Sequence, residues 1–154
     1  MSTDSSTTLA NRRNFRAKNC FSADHPRVRY LRHYYLGHVL LARGDLAGAL
    51  TQMQHESDEE SRLAGIASVQ SAMGHKKESD AMLGQLIKHS ADGWASGIAS
   101  VYALRNEPDA AFEWLDRAYA QKDEDLYIIK GNPLYRNVAR DPRYAAFLRK
   151  MKLP

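Results

Sequence analysis

Histidines, serines and one cysteine are the side chains of this chain that could act as metal ligands or nucleophiles. His33 and His38 are five residues apart, whereas two side chains meet on one helix face at a spacing of three or four. The pair His55-Glu56 lacks the second histidine of a zinc-protease helix, and Cys20 has no second cysteine as a partner. The sequence contains neither the serine turn of hydrolases nor a glycine-rich phosphate loop. We therefore expect a binding protein and not an enzyme, with no catalytic residue, no metal site and no cofactor.

Three consecutive carboxylates, Asp58, Glu59 and Glu60, are the remaining candidate for a cation site. Consecutive residues point to different sides of a helix, so these side chains cannot converge on one ion. Acidic side chains are favourable at the positive end of the helix dipole. The run therefore predicts the start of a helix.

Length and composition favour one domain. The chain has 154 residues, of which 44% are hydrophobic, which is enough to form a core. It has no apolar run of the roughly 18 residues that a membrane-spanning helix needs, and no hydrophobic segment of a secretory signal. We expect a cytoplasmic protein.

Charge is distributed unevenly along the chain. Residues 1–30 hold six Arg or Lys and two Asp, a net charge of +4, and residues 126–154 hold seven Arg or Lys and one Asp, a net charge of +6. Since the whole chain carries +4, residues 31–125 carry −6. The basic ends and the acidic middle suggest an anionic partner, or a head-to-tail homodimer in which the end of one copy meets the middle of another.

Six helices are predicted between residues 26 and 121, after a disordered basic leader at 1–23 that is rich in small hydroxyl residues. Apolar residues at helical spacing, together with acidic caps and Gly or Pro breaks, place them at 26–43, 46–56, 59–73, 76–89, 92–105 and 108–121. Asp24 before Pro26 is the expected cap of the first helix, and Asp92 is expected to start the fifth.

A repeated register connects these helices into three pairs. The small residues Gly37, Ala67 and Ala99 are 30 and 32 residues apart. The same spacings separate the turn residues Gly44, Gly74 and Asn106, and the small residues Ala49, Ser79 and Ala111. Large residues beside them are expected to fill the core: Leu36, Ile66 and Ile98 on the first helices, and Met53, Leu83 and Leu115 on the second helices.

This pattern resembles the tetratricopeptide repeat. The first repeat has His33-x2-Leu36-Gly37-x2-Leu40 and then Ala49-x3-Met53, and the third has Ile98-Ala99-x2-Tyr102 and then Ala111-x3-Leu115. The second departs from it, with Gln70 in place of the tyrosine. The resemblance implies an all-α, right-handed solenoid of three hairpins, at about 26–56, 59–89 and 92–121. Residues 122–154 resemble the closing segment of bacterial tetratricopeptide regions in signalling and regulatory proteins, with a capping helix that starts at Asp141-Pro142.

The resemblance also implies where a partner would bind. In this family the first helices of successive pairs line a concave groove that takes a peptide or a helix of another protein. The corresponding positions are small and mostly neutral, which suggests an uncharged peptide or the chain's own tail: Tyr34, His38, Ser68, Ser71, Ser96 and Ser100.

Binding of nucleic acid or another anionic surface is the alternative. The C-terminal segment offers a basic patch next to Tyr135 and Tyr144, whose rings could stack on bases if they were not part of the core. The patch consists of Arg136, Arg140, Arg143, Arg149, Lys150 and Lys152.

Overall fold

The computed structural model describes residues 31–153, and this range is all-α, without a β-strand. The predicted leader at 1–23 and the predicted helix start at Asp24 lie outside the described residues. None of the described helices is both long and apolar enough to cross a membrane. The α-helices of this range are α1 (Arg32–Ala42), α2 (Leu46–Gln54), α3 (Glu59–Ala72), α4 (Lys76–Ser90), α5 (Ala95–Leu104), α6 (Pro108–Gln121) and α7 (Pro142–Lys150).

Three tight turns join α1 to α2, α3 to α4 and α5 to α6. Each turn contains one residue in the left-handed region, with φ of 83° at Gly44, 80° at Gly74 and 59° at Asn106. Glycine adopts this conformation without cost, and asparagine is one of the few other residues that tolerate it. The three predicted turn positions therefore share one backbone conformation.

The helices pack mainly as consecutive pairs: α1 with α2, α3 with α4, and α5 with α6. Further contacts of α3 with α1 and α2, and of α5 with α3 and α4, connect one pair to the next. The small residues Ala49, Ser79 and Ala111 of the second helices are completely buried. They allow the two helices of each pair to approach closely, as their equivalent spacing predicted.

The large residues of the repeat register are buried unevenly. On the second helices Met53, Leu83 and Leu115 are all buried, as expected. On the first helices Ile98 is fully buried, whereas Leu36 is 46% exposed, so its predicted place in the core is wrong. Ile98 lies in the cluster that includes residues of α4, the helix before it. Within residues 31–153 no helix precedes α1, so this range offers Leu36 no surface equivalent to the one that Ile98 covers.

The fifth helix begins three residues later than predicted, at Ala95. Asp92 lies before the helix, and its exposed side chain forms an ion pair of 2.7 Å with Arg117. Trp94 precedes the helix, and its indole lies against Gly97, where any Cβ atom would overlap the ring. This close contact explains why the first turn of α5 contains glycine.

The C-terminal segment covers the third helical pair. After α6 it forms two short 3-10 helices, Glu124–Ile128 and Pro133–Tyr135, and then α7. As predicted, Asp141 caps α7 by accepting a hydrogen bond of 2.9 Å from the backbone N–H of Arg143, and Pro142 is the first helical residue. Tyr144 and Phe147 of α7 are buried against the residues of α5 and α6.

Candidate functional site

A cleft of about 250 Å³ opens where the last turns of α1, α3 and α5 meet the C-terminal segment. Its lining combines three apolar residues, two serines and two arginines: Leu41, Ala72, Leu104, Ser68, Ser71, Arg105 and Arg136. A second cavity of about 250 Å³ adjoins it and shares Ser71 and Arg105. We call the first of these cavities, the one that Arg136 lines, the inner cleft.

The repeated turns explain why these side chains come together. Leu41 and Ser71 each stand three residues before a left-handed glycine, at equivalent positions of α1 and α3. Leu104 lies in the last turn of α5, two residues before the equivalent Asn106. Because consecutive pairs pack side by side, the three helix ends face one depression.

Arg105 forms a rigid wall of the inner cleft. Its side chain is 4% exposed, and its guanidinium donates to Glu107 at 2.8 Å, to Asp80, and to Ser79 Oγ at 3.3 Å. Burial by itself lowers the pKa of Arg105, but the hydrogen bonds to Asp80 and Glu107 outweigh it and raise that pKa. The hydrogen bond from Arg105 in turn lowers the pKa of the Asp80 carboxyl. The charge of Arg105 is therefore fixed and neutralised by two carboxylates.

Arg136 differs from Arg105 in being exposed. Its guanidinium forms neither an ion pair nor a hydrogen bond with any residue between 31 and 153. The neighbouring backbone is anchored, because the hydroxyl of buried Tyr135 donates to Ser96 O at 2.9 Å and the Asn137 amide donates to Leu104 O at 2.8 Å. Toward residues 31–153, Arg136 thus offers free donors from an anchored backbone.

The structure separates the six residues predicted to line a groove. Ser68 and Ser71 line the inner cleft, and the Ser68 hydroxyl is held by a hydrogen bond of 2.8 Å to Ala64 O. The other four lie outside its lining: Tyr34, His38, Ser96 and Ser100. Ser96 and Ser100 are buried.

Tyr34 and His38 form an aromatic pair in which Tyr34 is buried and His38 is partly buried. Their ring centroids are 4.4 Å apart in an edge-to-face arrangement, and the Tyr34 ring also contacts Trp94, at 6.5 Å between centroids. Burial raises the pKa of Tyr34 and lowers the pKa of His38 to about 4. Both side chains are therefore neutral near pH 7 and act in packing.

The chain's own C-terminal segment lies over the first turns of α5. Asp123 accepts a hydrogen bond of 2.9 Å from the backbone N–H of Ser96, and Asp125 accepts one of 2.8 Å from the indole N–H of Trp94. Tyr135 completes this contact with its bond to Ser96 O. This part of the surface of α5 is therefore filled from within, whereas the inner cleft beside its last turn remains open.

The predicted basic patch is divided by the fold. Arg143 pairs with Asp109 and Asp141 and lies over the Phe112 ring, and Lys150 pairs with Asp116 and lies over Tyr119. Arg136 lines the inner cleft, and the three remaining residues of the patch are exposed: Arg140, Arg149 and Lys152.

The two tyrosines next to the patch belong to the core. Tyr135 is 3% and Tyr144 is 8% exposed, and their rings stack on each other at 6.3 Å between centroids. Neither ring can stack on a nucleobase while it is buried in this way.

Arg105 is one of the cleft residues that the sequence did not indicate. Part of its environment is local, because Arg105 precedes Asn106 in the turn and a carboxylate follows at Glu107, but its partner Asp80 lies 25 residues earlier. Arg136 had been assigned to the patch and not to the cleft.

Residues 31–153 contain no cluster of three or more His, Cys, Asp or Glu arranged to hold a metal ion. What the geometry offers is a donor-rich cleft with apolar walls.

Comparisons with known proteins add no identification: no family model, no curated protein and no solved structure matches this chain.

Proposed function

We propose that this protein is a non-catalytic interaction module that binds a peptide segment of another protein in the inner cleft. We further propose that its three helical pairs are tetratricopeptide-like hairpins in a right-handed solenoid, capped by the C-terminal segment. The repeated spacing, the left-handed residue shared by the three turns and the buried small residues of the second helices support this assignment.

The observation that carries the proposal is the lining of the inner cleft by three successive first helices. Leu41, Ser71 and Leu104 come from α1, α3 and α5, so a single bound segment would contact all three pairs at once. A volume of about 250 Å³ lies below the range of about 300–1,000 Å³ that is typical of small-molecule pockets. It suits one or two side chains of an extended peptide.

Nucleic-acid binding is the alternative, and the arrangement of the basic residues favours it less. Arg143 and Lys150 are already neutralised by aspartates, and Tyr135 and Tyr144 are buried. Binding to generic single-stranded DNA that falls steeply as salt is raised would support the alternative instead.

A blocking substitution tests the proposed function. Peptides would be selected from a random library against the wild-type chain and their affinities measured by fluorescence anisotropy. Ser71→Trp fills the cleft and is expected to weaken binding by roughly tenfold or more, an effect of about 1.4 kcal/mol. The control is Gln85→Trp on the exposed surface of α4, which is expected to bind as the wild type does.

Peptides that bind Ser71→Trp and the wild type equally well would overturn the proposal. Circular dichroism of both variants is part of the measurement, because weaker binding counts only if the helix content is unchanged.

A further inference from the structure

We propose that the inner cleft selects peptides that carry a carboxylate side chain, which binds the guanidinium of Arg136. This inference rests on the proposed function and names the chemistry of the bound segment. It differs from the expectation drawn from the sequence, in which the groove positions were small and uncharged.

The first reason is the charge of the lining. The cavity next to Arg136 is lined by two guanidiniums, two serines and apolar residues, without an acidic side chain. This is a local exception, since residues 31–125 carry a net charge of −6. The adjoining cavity contains both signs, with Lys76 and Arg105 against Glu107. An anionic group is therefore favoured in the first cavity and not in the second.

The second reason is the state of the two arginines. Arg105 already donates to Asp80, Glu107 and Ser79, so its charge is compensated and its position is fixed. Arg136 has all its guanidinium donors free toward residues 31–153. A planar guanidinium binds a carboxylate through two parallel hydrogen bonds. Arg136 is thus the group that contacts the ligand, and Arg105 shapes the wall behind it.

The remaining lining fits the rest of such a peptide. Leu41, Ala72 and Leu104 offer apolar contacts to the residues beside the carboxylate. The Ser71 hydroxyl, which makes no hydrogen bond with a described residue, can donate to a peptide carbonyl. A phosphate dianion fits less well, because only one of the two arginines has an uncompensated charge.

The test uses the full chain and immobilised arrays of short peptides with one fixed central residue between uncharged random positions. The central residue is Glu, Gln, Lys or phosphoserine. We expect the wild type to be retained up to about fivefold more on the Glu array than on the Gln array, the range of an ion pair with an exposed arginine. Arg136→Glu is expected to reverse the preference, with more retention on the Lys array than on the Glu array.

Arg140→Glu is the matched control, because it makes the same charge change four residues away at an exposed position outside the cleft lining. It is expected to keep the wild-type preference. Equal retention on the Glu and Gln arrays, greater retention on phosphoserine, or an equal effect of both charge reversals would overturn this inference and leave the proposed function standing. No retention on any array would overturn both.

Discussion

Replacing Gly65 with alanine is expected to destabilise the wild-type chain but to stabilise a chain in which Met53 is replaced by alanine. The reason lies between the first two helical pairs. Met53 of α2 is completely buried and lies between Gly37 of α1 and Gly65 of α3. A Cβ atom added at Gly37 would stand 2.7 Å from Met53 Cε, and one added at Gly65 would stand 2.9 Å from Met53 Cγ and closer still to the sulfur. Both added Cβ atoms would thus overlap the same side-chain atoms of a completely buried methionine, so a methyl group at either position requires Met53 to shift.

Two opposing effects set the size of this change. Alanine is favoured over glycine inside a helix by about 0.5–1 kcal/mol. Forcing a methyl group into a filled core costs about 1–3 kcal/mol. For Gly65→Ala we therefore expect a net loss of about 0.5–2 kcal/mol of unfolding free energy. Met53→Ala alone costs about 2–5 kcal/mol, but it removes the atoms that the methyl group added at position 65 would overlap. In that background only the helix preference and the filling of the cavity remain, so Gly65→Ala should gain about 1 kcal/mol.

Urea unfolding followed by circular dichroism measures both effects, with similar slopes indicating that the same surface is exposed. Gly84→Ala is the matched control, because Gly84 lies inside α4 and a Cβ atom there would have no neighbour within 4 Å. It should stabilise both backgrounds by about 0.5–1 kcal/mol. If Gly65→Ala stabilises the wild type as much as Gly84→Ala does, Met53 is not confined between the two glycines and the packing argument fails.

Three further substitutions test other parts of the fold. Lys122 ends α6 in the left-handed region with φ of 55°, so Lys122→Gly should raise the unfolding free energy by about 1 kcal/mol in urea. Asp58 accepts a hydrogen bond from Ser61 N, and Asp58→Ala should lower the unfolding free energy by about 1 kcal/mol, seen as a lower Tm. Burial lowers the pKa of His38 from 6.5 to about 4, so the unfolded chain binds more protons between these values. Stability should therefore fall by about 1–2 kcal/mol from pH 7 to pH 5 in wild type, and an equal fall in His38→Gln would contradict this.

Local features of the fold were predictable from the sequence because their causes are local. A left-handed turn favours glycine or asparagine, and Gly44, Gly74 and Asn106 stand at the three turns. A helix start needs an acceptor for its free N–H groups, and Asp58 and Asp141 provide one within three residues. Each signal lies within one turn of the structure that it determines.

Contacts between distant residues were not predictable in this way. Asp92 is expected to start a helix, yet its carboxylate pairs with Arg117, 25 residues away, and the indole of Trp94 packs against the first turn of the helix, which begins at Ala95. Glu56, considered with His55 for metal chemistry, is 2% exposed and accepts a hydrogen bond from Tyr34 N across 22 residues. No helical spacing indicates such pairs, because they depend on how the helices pack.

The arginines of the candidate site, which the proposed binding depends on more than the serines, are likewise positioned by contacts between distant residues. The guanidinium of Arg105 is held by a hydrogen bond to Asp80 on α4, 25 residues earlier. The backbone of Arg136 is held by the hydrogen bonds of its neighbours Tyr135 and Asn137 to α5.

Anchoring of the backbone around Arg136 has a consequence for binding. Fixing a residue of a flexible arm costs about 1–2 kcal/mol of backbone entropy at the moment of binding. Here the backbone entropy is already lost when the chain folds, because Tyr135 and Asn137 are hydrogen-bonded to α5 in the absence of a ligand. A partner then has to order only the side chain of Arg136, which carries about 2 kcal/mol of rotamer entropy. One carboxylate pair can offset that cost only together with the apolar contacts of Leu41 and Leu104. The inner cleft should therefore select for a carboxylate next to an apolar residue, and not for acidity alone.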